Sequence, residues 1–216
     1  MSSIKLESNA SGTGIFTIAS PNSNTNRTLS IPDVTTTIVG TDAAQTLTNK
    51  TLGSGLVMGA SALTSGTSVT CAGQTSIDFT GIPSWVKRIT VMFSGVSTNG
   101  TSGYLIQIGA GSVTTSGYAS CVGNRAGETT STAGFIVVRT PIAGDTFSGN
   151  IFICSSGSNS WVESSTLGIT SGGGPSFAGG NISLGGTLDR VRITTVNGTD
   201  TFDTTPSAGK INIMYE

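Results

Sequence analysis

Apolar and polar residues alternate with a period of two over several stretches of the C-terminal two-thirds of the chain, which is the signature of half-buried β-strands. In residues 86–94, Ile89, Val91 and Phe93 share one face while Arg88, Thr90 and Met92 share the other. Tyr104, Ile106 and Ile108 oppose Leu105 and Gln107 in residues 103–109, and Val191 and Ile193 oppose Arg190, Arg192 and Thr194 in residues 189–196. Ile211, Ile213 and Tyr215 oppose Asn212 and Met214 near the C-terminus. Two further runs, residues 135–138 and 151–154, are continuously apolar and predict strands buried on both faces. Turn-forming stretches at 98–103, 155–160, 171–174 and 197–198 separate these segments. No window carries a sustained helical period. About eight short strands spaced in this way predict an antiparallel β-sandwich, jelly-roll-like or of related topology.

The N-terminal third reads differently. Short strands are predicted at 14–19, 27–31 and 36–39, broken by Pro21, Pro32 and Gly40, with aliphatic residues set singly among Ser, Thr, Asn and Gly. Of the 13 aromatic residues only Phe16 precedes Phe79. So sparse a segment cannot offset an ordering cost of about 1–2 kcal/mol per residue by itself. It is expected to take its core from another chain or to stay loose. The division falls between a region 1–65 and a head of residues 66–216, the latter being of ordinary domain size.

Composition narrows the function classes. The chain has 216 residues, of which 10 are Lys or Arg and 11 Asp or Glu, giving a formal net charge of −1. A protein that neutralises nucleic-acid phosphates needs a basic excess, so no nucleic-acid partner is expected. The 66 Ser and Thr residues solubilise the surface in place of charge. There is no His, which removes the commonest general base near neutral pH and a common transition-metal ligand. Cys71, Cys121 and Cys154 are odd in number and widely spaced, and read as free thiols made in a reducing compartment. No basic and apolar leader and no run of about 18 apolar residues is present, so neither export nor membrane insertion is expected.

The candidate chemistry is sparse. Asp200 and Asp203 offer carboxylates for a calcium ion, but two fall short of the six to eight oxygens such an ion takes, and an Asx turn accounts for them. Trp161, Tyr104, Tyr118 and Trp85 are rings suited to stacking on a sugar, with core or interface packing as the competing and favoured role. Arg88, Arg190 and Arg192 could bind carboxylates or phosphates of a surface glycan, with pairing to carboxylates such as Asp189 or Glu163, or bridging to neighbouring chains, as the favoured role. The glycine clusters at 109–112 and 172–176 lack the GK[ST] ending of a phosphate loop. No cofactor, metal or catalytic residue is expected. Two carboxylates suffice for glycoside cleavage, but no recognisable pair and no fixed-period repeat for a β-helix is present, which ranks catalysis below binding.

Three phrases carry a resemblance. TLTNKTL at 46–52, preceded by VGTD, resembles the stem segment of tailed-phage fibre proteins. IPSWVKRITVMFSGVSTNGTSGY at 82–104, and LDRVRITTVNGTDTFD at 188–203 with the closing INIMYE, resemble the C-terminal domain of phage fibre and tail-associated proteins. The resemblance implies a homotrimer with an intertwined β stem and a β-rich head, held in the virion by other phage structural proteins of tail hub, baseplate or capsid. It assigns Phe16, Leu29, Ile31, Ile38, Leu47 and Leu52 to the docking and trimer stem, and implies assembly in the host bacterial cytoplasm. Only the short stretch of residues 53–65 separates stem motif from head, so the appendage is expected to be short. The alternative is a capsid decoration protein that stabilises the particle, and a polysaccharide-degrading spike ranks third.

Overall fold

A computed structural model describes residues 11–15, 17, 22–26, 28, 63–170, 174–204 and 209–216. The chain separates into two units, Met1–Gly55 and Leu56–Glu216. In the first, the described residues are all exposed, Ile15 at 92%. The stem positions Phe16, Leu29, Ile31, Ile38, Leu47 and Leu52 lie outside the described residues.

The described part of the second unit is all-β. Its strands are β1 (Thr64–Ser65), β2 (Val69–Thr70), β3 (Ser76–Thr80), β4 (Arg88–Val96), β5 (Tyr104–Ala110), β6 (Ser112–Val113) and β7 (Ala119–Asn124). The chain continues through β8 (Gly127–Ser131), β9 (Phe135–Val138), β10 (Phe147–Gly157), β11 (Ser160–Ile169), β12 (Ser176–Ser183), β13 (Arg190–Thr195) and β14 (Lys210–Tyr215). Thr64 and Ser65, expected in the stem, pair with Tyr215 and Met214 and so belong to this unit.

A nine-stranded sheet runs β1-β14-β4-β10-β11-β12-β7-β8, with β2 also on β14, and a five-stranded sheet runs β3-β13-β5-β6, with β9 also on β5. Every pairing is antiparallel. The inward residues of both sheets form one core: Ile89, Val91, Phe93, Ile151, Ile153, Ile211 and Ile213 from the larger, Ile77, Phe79, Tyr104, Ile106, Ile108, Val191 and Ile193 from the smaller. The Tyr104 ring sits at its centre, 5.3 Å from Phe147 edge-on, 6.3 Å from Phe202 and 6.4 Å from Phe93. Aromatic contacts of this geometry add about 0.5–1.5 kcal/mol each beyond the area they bury.

Two expectations of burial need correction. Residues 104–109 are buried on both faces, because Ala133 and Ile136 cover the second face: Leu105, Ile136 and Val122 form a small cluster there, and Gln107 donates to the Ala133 carbonyl at 2.8 Å. Residues 151–154 fail as a two-faced strand, since Phe152 is 40% exposed between buried Ile151 and Ile153. The run 135–138 is buried at all four positions, as expected.

Local chemistry sets the register. Ser158 and Asn159 both take positive φ, 49° and 59°, in the two-residue loop joining β10 to β11, as a tight hairpin matched to strand twist requires. Gly149, at φ 148°, sits where the β10–β4 register shifts, and a Cβ there would run into the Thr166 carbonyl oxygen. A side chain at that position would break the bulge.

Candidate functional site

The rings singled out for sugar stacking are withdrawn into the protein. Tyr104 is 0%, Tyr118 2% and Trp161 4% exposed. Tyr118 Oη accepts the Ile108 N–H at 2.8 Å and lies 3.1 Å from the carbonyls of Ile108 and Thr114, and burial pushes its pKa up to about 12. Its ring meets Phe135 edge-on at 4.9 Å. Each of the three packs the core, so none is available to a glycan as the fold stands. Trp85 is 53% exposed, tilted against Tyr215 at 6.0 Å.

Arg88 pairs with Glu216 at the surface. Arg192 grips Asp78 with two bonds of 2.7 and 2.9 Å, and Arg190 grips Asp189 with bonds of 2.7 and 3.0 Å. Of the carboxylates named for these arginines, Asp189 is a partner and Glu163 is not. Glu163 points inward from β11, is 4% exposed, and neither of its oxygens has a hydrogen-bond partner. Burial raises its pKa to about 7.

Asp200 Oδ2 accepts the Ser102 N–H at 3.0 Å and its Oδ1 accepts Asn197 Nδ2 at 2.6 Å. Asn197 Oδ1 in turn caps the backbone N–H groups of Thr199 and Asp200, both at 3.1 Å. The carboxylate fills the space where a Cβ on Gly100 would go, so it ties the loop before β5 to the turn after β13. Asp203 Oδ2 accepts the Ser97 hydroxyl at 2.9 Å. Both groups are committed to the fold. Asp200→Ala should therefore cost about 1–3 kcal/mol, read as a lower denaturation midpoint with or without calcium; a midpoint that drops only when calcium is removed from the parent would mean an ion instead.

The largest feature that the sequence did not reveal is the outer face of the nine-stranded sheet. Cross-strand partners run Thr90–Phe152–Ser164–Gly179–Cys121 in one row and Met92–Asn150–Thr166–Phe177–Gly123 in the next. From β4 to β7 neither row carries an Asp, Glu, Lys or Arg, but the second row ends on Glu128 of β8, opposite Gly123; the other charges at the rim are the Arg88–Glu216 pair, Lys210 and Arg125 in the β7–β8 turn. On this face Phe152 is 40%, Val162 43% and Phe177 57% exposed. Two shallow hollows mark it: one of about 350 Å³ among Asn150, Phe152, Ser164 and Thr166, the other of about 500 Å³ among Gly123, Glu128 and Phe177. A broad neutral surface with exposed rings favours contact with something itself uncharged. Phe152 was hidden because the apolar run 151–154 masks its alternation, and Phe177 because it follows a glycine cluster that reads as loop.

Cys71, Cys121 and Cys154 are free thiols, the first buried, with its pKa pushed up to about 11 by desolvation. Among the described residues no group of three or more His, Cys, Asp or Glu could hold a metal ion, and no helix is long and apolar enough to cross a membrane. No family model, curated protein or solved structure matches the chain.

Proposed function

We propose that the chain is a structural subunit of a tailed-phage virion, a short trimeric fibre or spike whose N-terminal segment docks into the particle and whose β-rich unit forms an outward-facing head. The observation that carries the reading is the outer face of the nine-stranded sheet, whose strands from β4 to β7 carry no charge in the rows around Phe152 and Phe177. Copies of one chain that meet around a symmetry axis bring like residues near one another, so any unpaired charge on that surface is repelled by its own image. A face with its charges only at the rim, exposing Phe152, Val162 and Phe177, meets that condition.

The strand order supports reading the head as a jelly roll. The smaller sheet follows β3-β13-β5-β9, and the larger holds β4-β10 and β7-β8 with the β11–β12 hairpin inserted between them and β14 added outside β4. Two antiparallel sheets of this kind closed on one core support a sandwich of jelly-roll-like type. The phrases TLTNKTL and LDRVRITTVNGTDTFD support the virion assignment, and the single stretches of aliphatic residues in the first 55 positions support a stem that needs partner chains. Three heads acting together gain avidity of about 100-fold or more without any tight single site.

The contact face can be tested with the double variant Phe152→Asp and Phe177→Asp in the full chain. Two buried rings are worth about 1.5–3 kcal/mol each. The variant trimer should therefore dissociate at protein concentrations at least about tenfold above those of the parent in analytical ultracentrifugation. Unchanged association in a correctly folded variant would remove this face from the assembly.

A further inference from the structure

Asn99-Gly100-Thr101 and Asn197-Gly198-Thr199 repeat one tripeptide, and no other Asn in the chain precedes a Gly. Such a pair is chemically labile. Glycine has no side chain to shield its backbone nitrogen, so that nitrogen can attack the side-chain carbonyl carbon of the Asn before it. The N–H proton passes to solvent base, the bond to the side-chain amide nitrogen breaks, and ammonia leaves behind a cyclic imide. Water then opens the imide at either carbonyl, giving aspartate or its β-linked isomer, isoaspartate.

Both asparagines are exposed, so access of water does not separate them. Their hydrogen bonds do. Asn197 Oδ1 accepts the Thr195 hydroxyl at 2.9 Å and the N–H groups of Thr199 and Asp200 at 3.1 Å, and its Nδ2 donates to Asp200 Oδ1 at 2.6 Å. The nitrogen that would attack is engaged as well, since the Gly198 N–H donates to the Thr195 carbonyl at 3.0 Å. Turning this side chain onto that nitrogen breaks several bonds and takes the departing amide from a carboxylate. Asn99 is held by one side-chain bond, from the Thr201 N–H to Oδ1 at 2.9 Å. That donor polarises the carbonyl and steadies the oxyanion that attack creates. Asn197 has such donors too, but lacks a free nucleophile. Among the described residues neither the Gly100 N–H nor the Asn99 amide nitrogen donates to any acceptor.

We propose that Asn99 is a site of spontaneous deamidation selected by the fold, converting to aspartate or isoaspartate while Asn197 stays intact. The product bears on the tie between the loop before β5 and the turn after β13. The Asp200 carboxylate already lies against Gly100, in the space a Cβ would take, so a new carboxylate at position 99 is set near a like charge. Isoaspartate also lengthens the backbone beside Thr98, which is bridged to Phe202, and upsets the spacing of the Asn99 N–H bond to the Thr201 carbonyl at 3.0 Å. The inference goes beyond the virion assignment and holds for a single copy of the chain.

The test is incubation of the full chain at mildly alkaline pH, sampled over time and mapped by peptide mass spectrometry with fragmentation that tells aspartate from isoaspartate. In the folded chain Asn99 should convert at least about tenfold faster than Asn197. In urea the two should convert at like rates, because both are Asn-Gly-Thr. Asn99→Gln, whose longer side chain closes the imide ring poorly, should remove most of the acidic species that the folded parent accumulates. Equal rates at the two sites in the folded chain, faster conversion at Asn197, or an intact Asn99 over a period in which the urea-unfolded chain converts would overturn the proposal.

Discussion

Ile193→Asp is expected to leave the second unit unfolded at temperatures where the parent is stable. Ile193 is 0% exposed in β13, an interior strand of the smaller sheet, and stands opposite Ile77 of β3 and Ile106 of β5. An aspartate there places a carboxylate among aliphatic side chains with no cation among its cross-strand partners, and it also loses the packing of the isoleucine. The combined cost exceeds about 3 kcal/mol, a large part of the stability of an ordinary domain. Val196→Asp is the matched control, since Val196 lies just beyond the same strand at 53% exposure and the change there should fall within about 0.5 kcal/mol. Thermal melts of the two variants read the difference directly. Equal midpoints would mean that β13 does not lie at the centre of the core.

The second large effect is a dependence on pH. Glu163 titrates near 7 in the folded protein against 4.5 for the free side chain, because burial penalises its charged form. The folded state therefore holds the proton more tightly than the unfolded state between those values. Stability from the neutral group is complete below about pH 4.5, falls as pH rises toward 7, and is level above that. Each tenfold difference in proton affinity between the two states is worth about 1.4 kcal/mol, so the total is on the order of 3 kcal/mol. The melting temperature should then be lower by about 6–12 °C at pH 8 than at pH 4.5 from this residue. The strands packed on β11 leave the carboxyl without charged company: β9 and β12 carry no ionisable side chain, and β10 carries only Cys154. Glu163→Gln should remove most of the slope and melt above the parent at pH 8. A variant with the parent's slope would place the titration elsewhere.

Glu163 also explains why half of the larger sheet was illegible in the sequence. The strands read from alternation, in residues 86–94, 103–109, 189–196 and 210–215, put Ile, Val, Phe or Tyr at their inward positions. Along β11 the inward residues are Trp161, Glu163, Ser165 and Leu167, so two of four are polar and the period disappears. On β12 the inward set includes Ser176, and Gly180 leaves room for the Phe135 ring, whose nearest carbon would lie 3.0 Å from a Cβ there. On β7 it includes Ser120, whose hydroxyl accepts the Ile136 N–H at 3.0 Å. Beside Trp161, Leu167, Ile182 and Val122, these strands rely on ladder hydrogen bonds and close backbone approach, neither of which leaves a hydrophobic trace.

The candidate site divides in the same way. The sequence already grouped Tyr104 with Ile106 and Ile108 on one face, so its burial was legible. For Trp161 core packing was favoured by ring type alone, since the face it shares is marked only by Leu167 six residues on. The neutral outer surface was illegible because it belongs to no single strand: it arises when register sets Phe152 beside Ser164 and Phe177 beside Thr166.

In the proposed virion role, several copies associate before the chain has its working form. The mass of the full chain at micromolar concentration, by native mass spectrometry or sedimentation, tests this most directly. The expected species has three times the chain mass of 21.7 kDa. A stable species of 21.7 kDa at that concentration would contradict it.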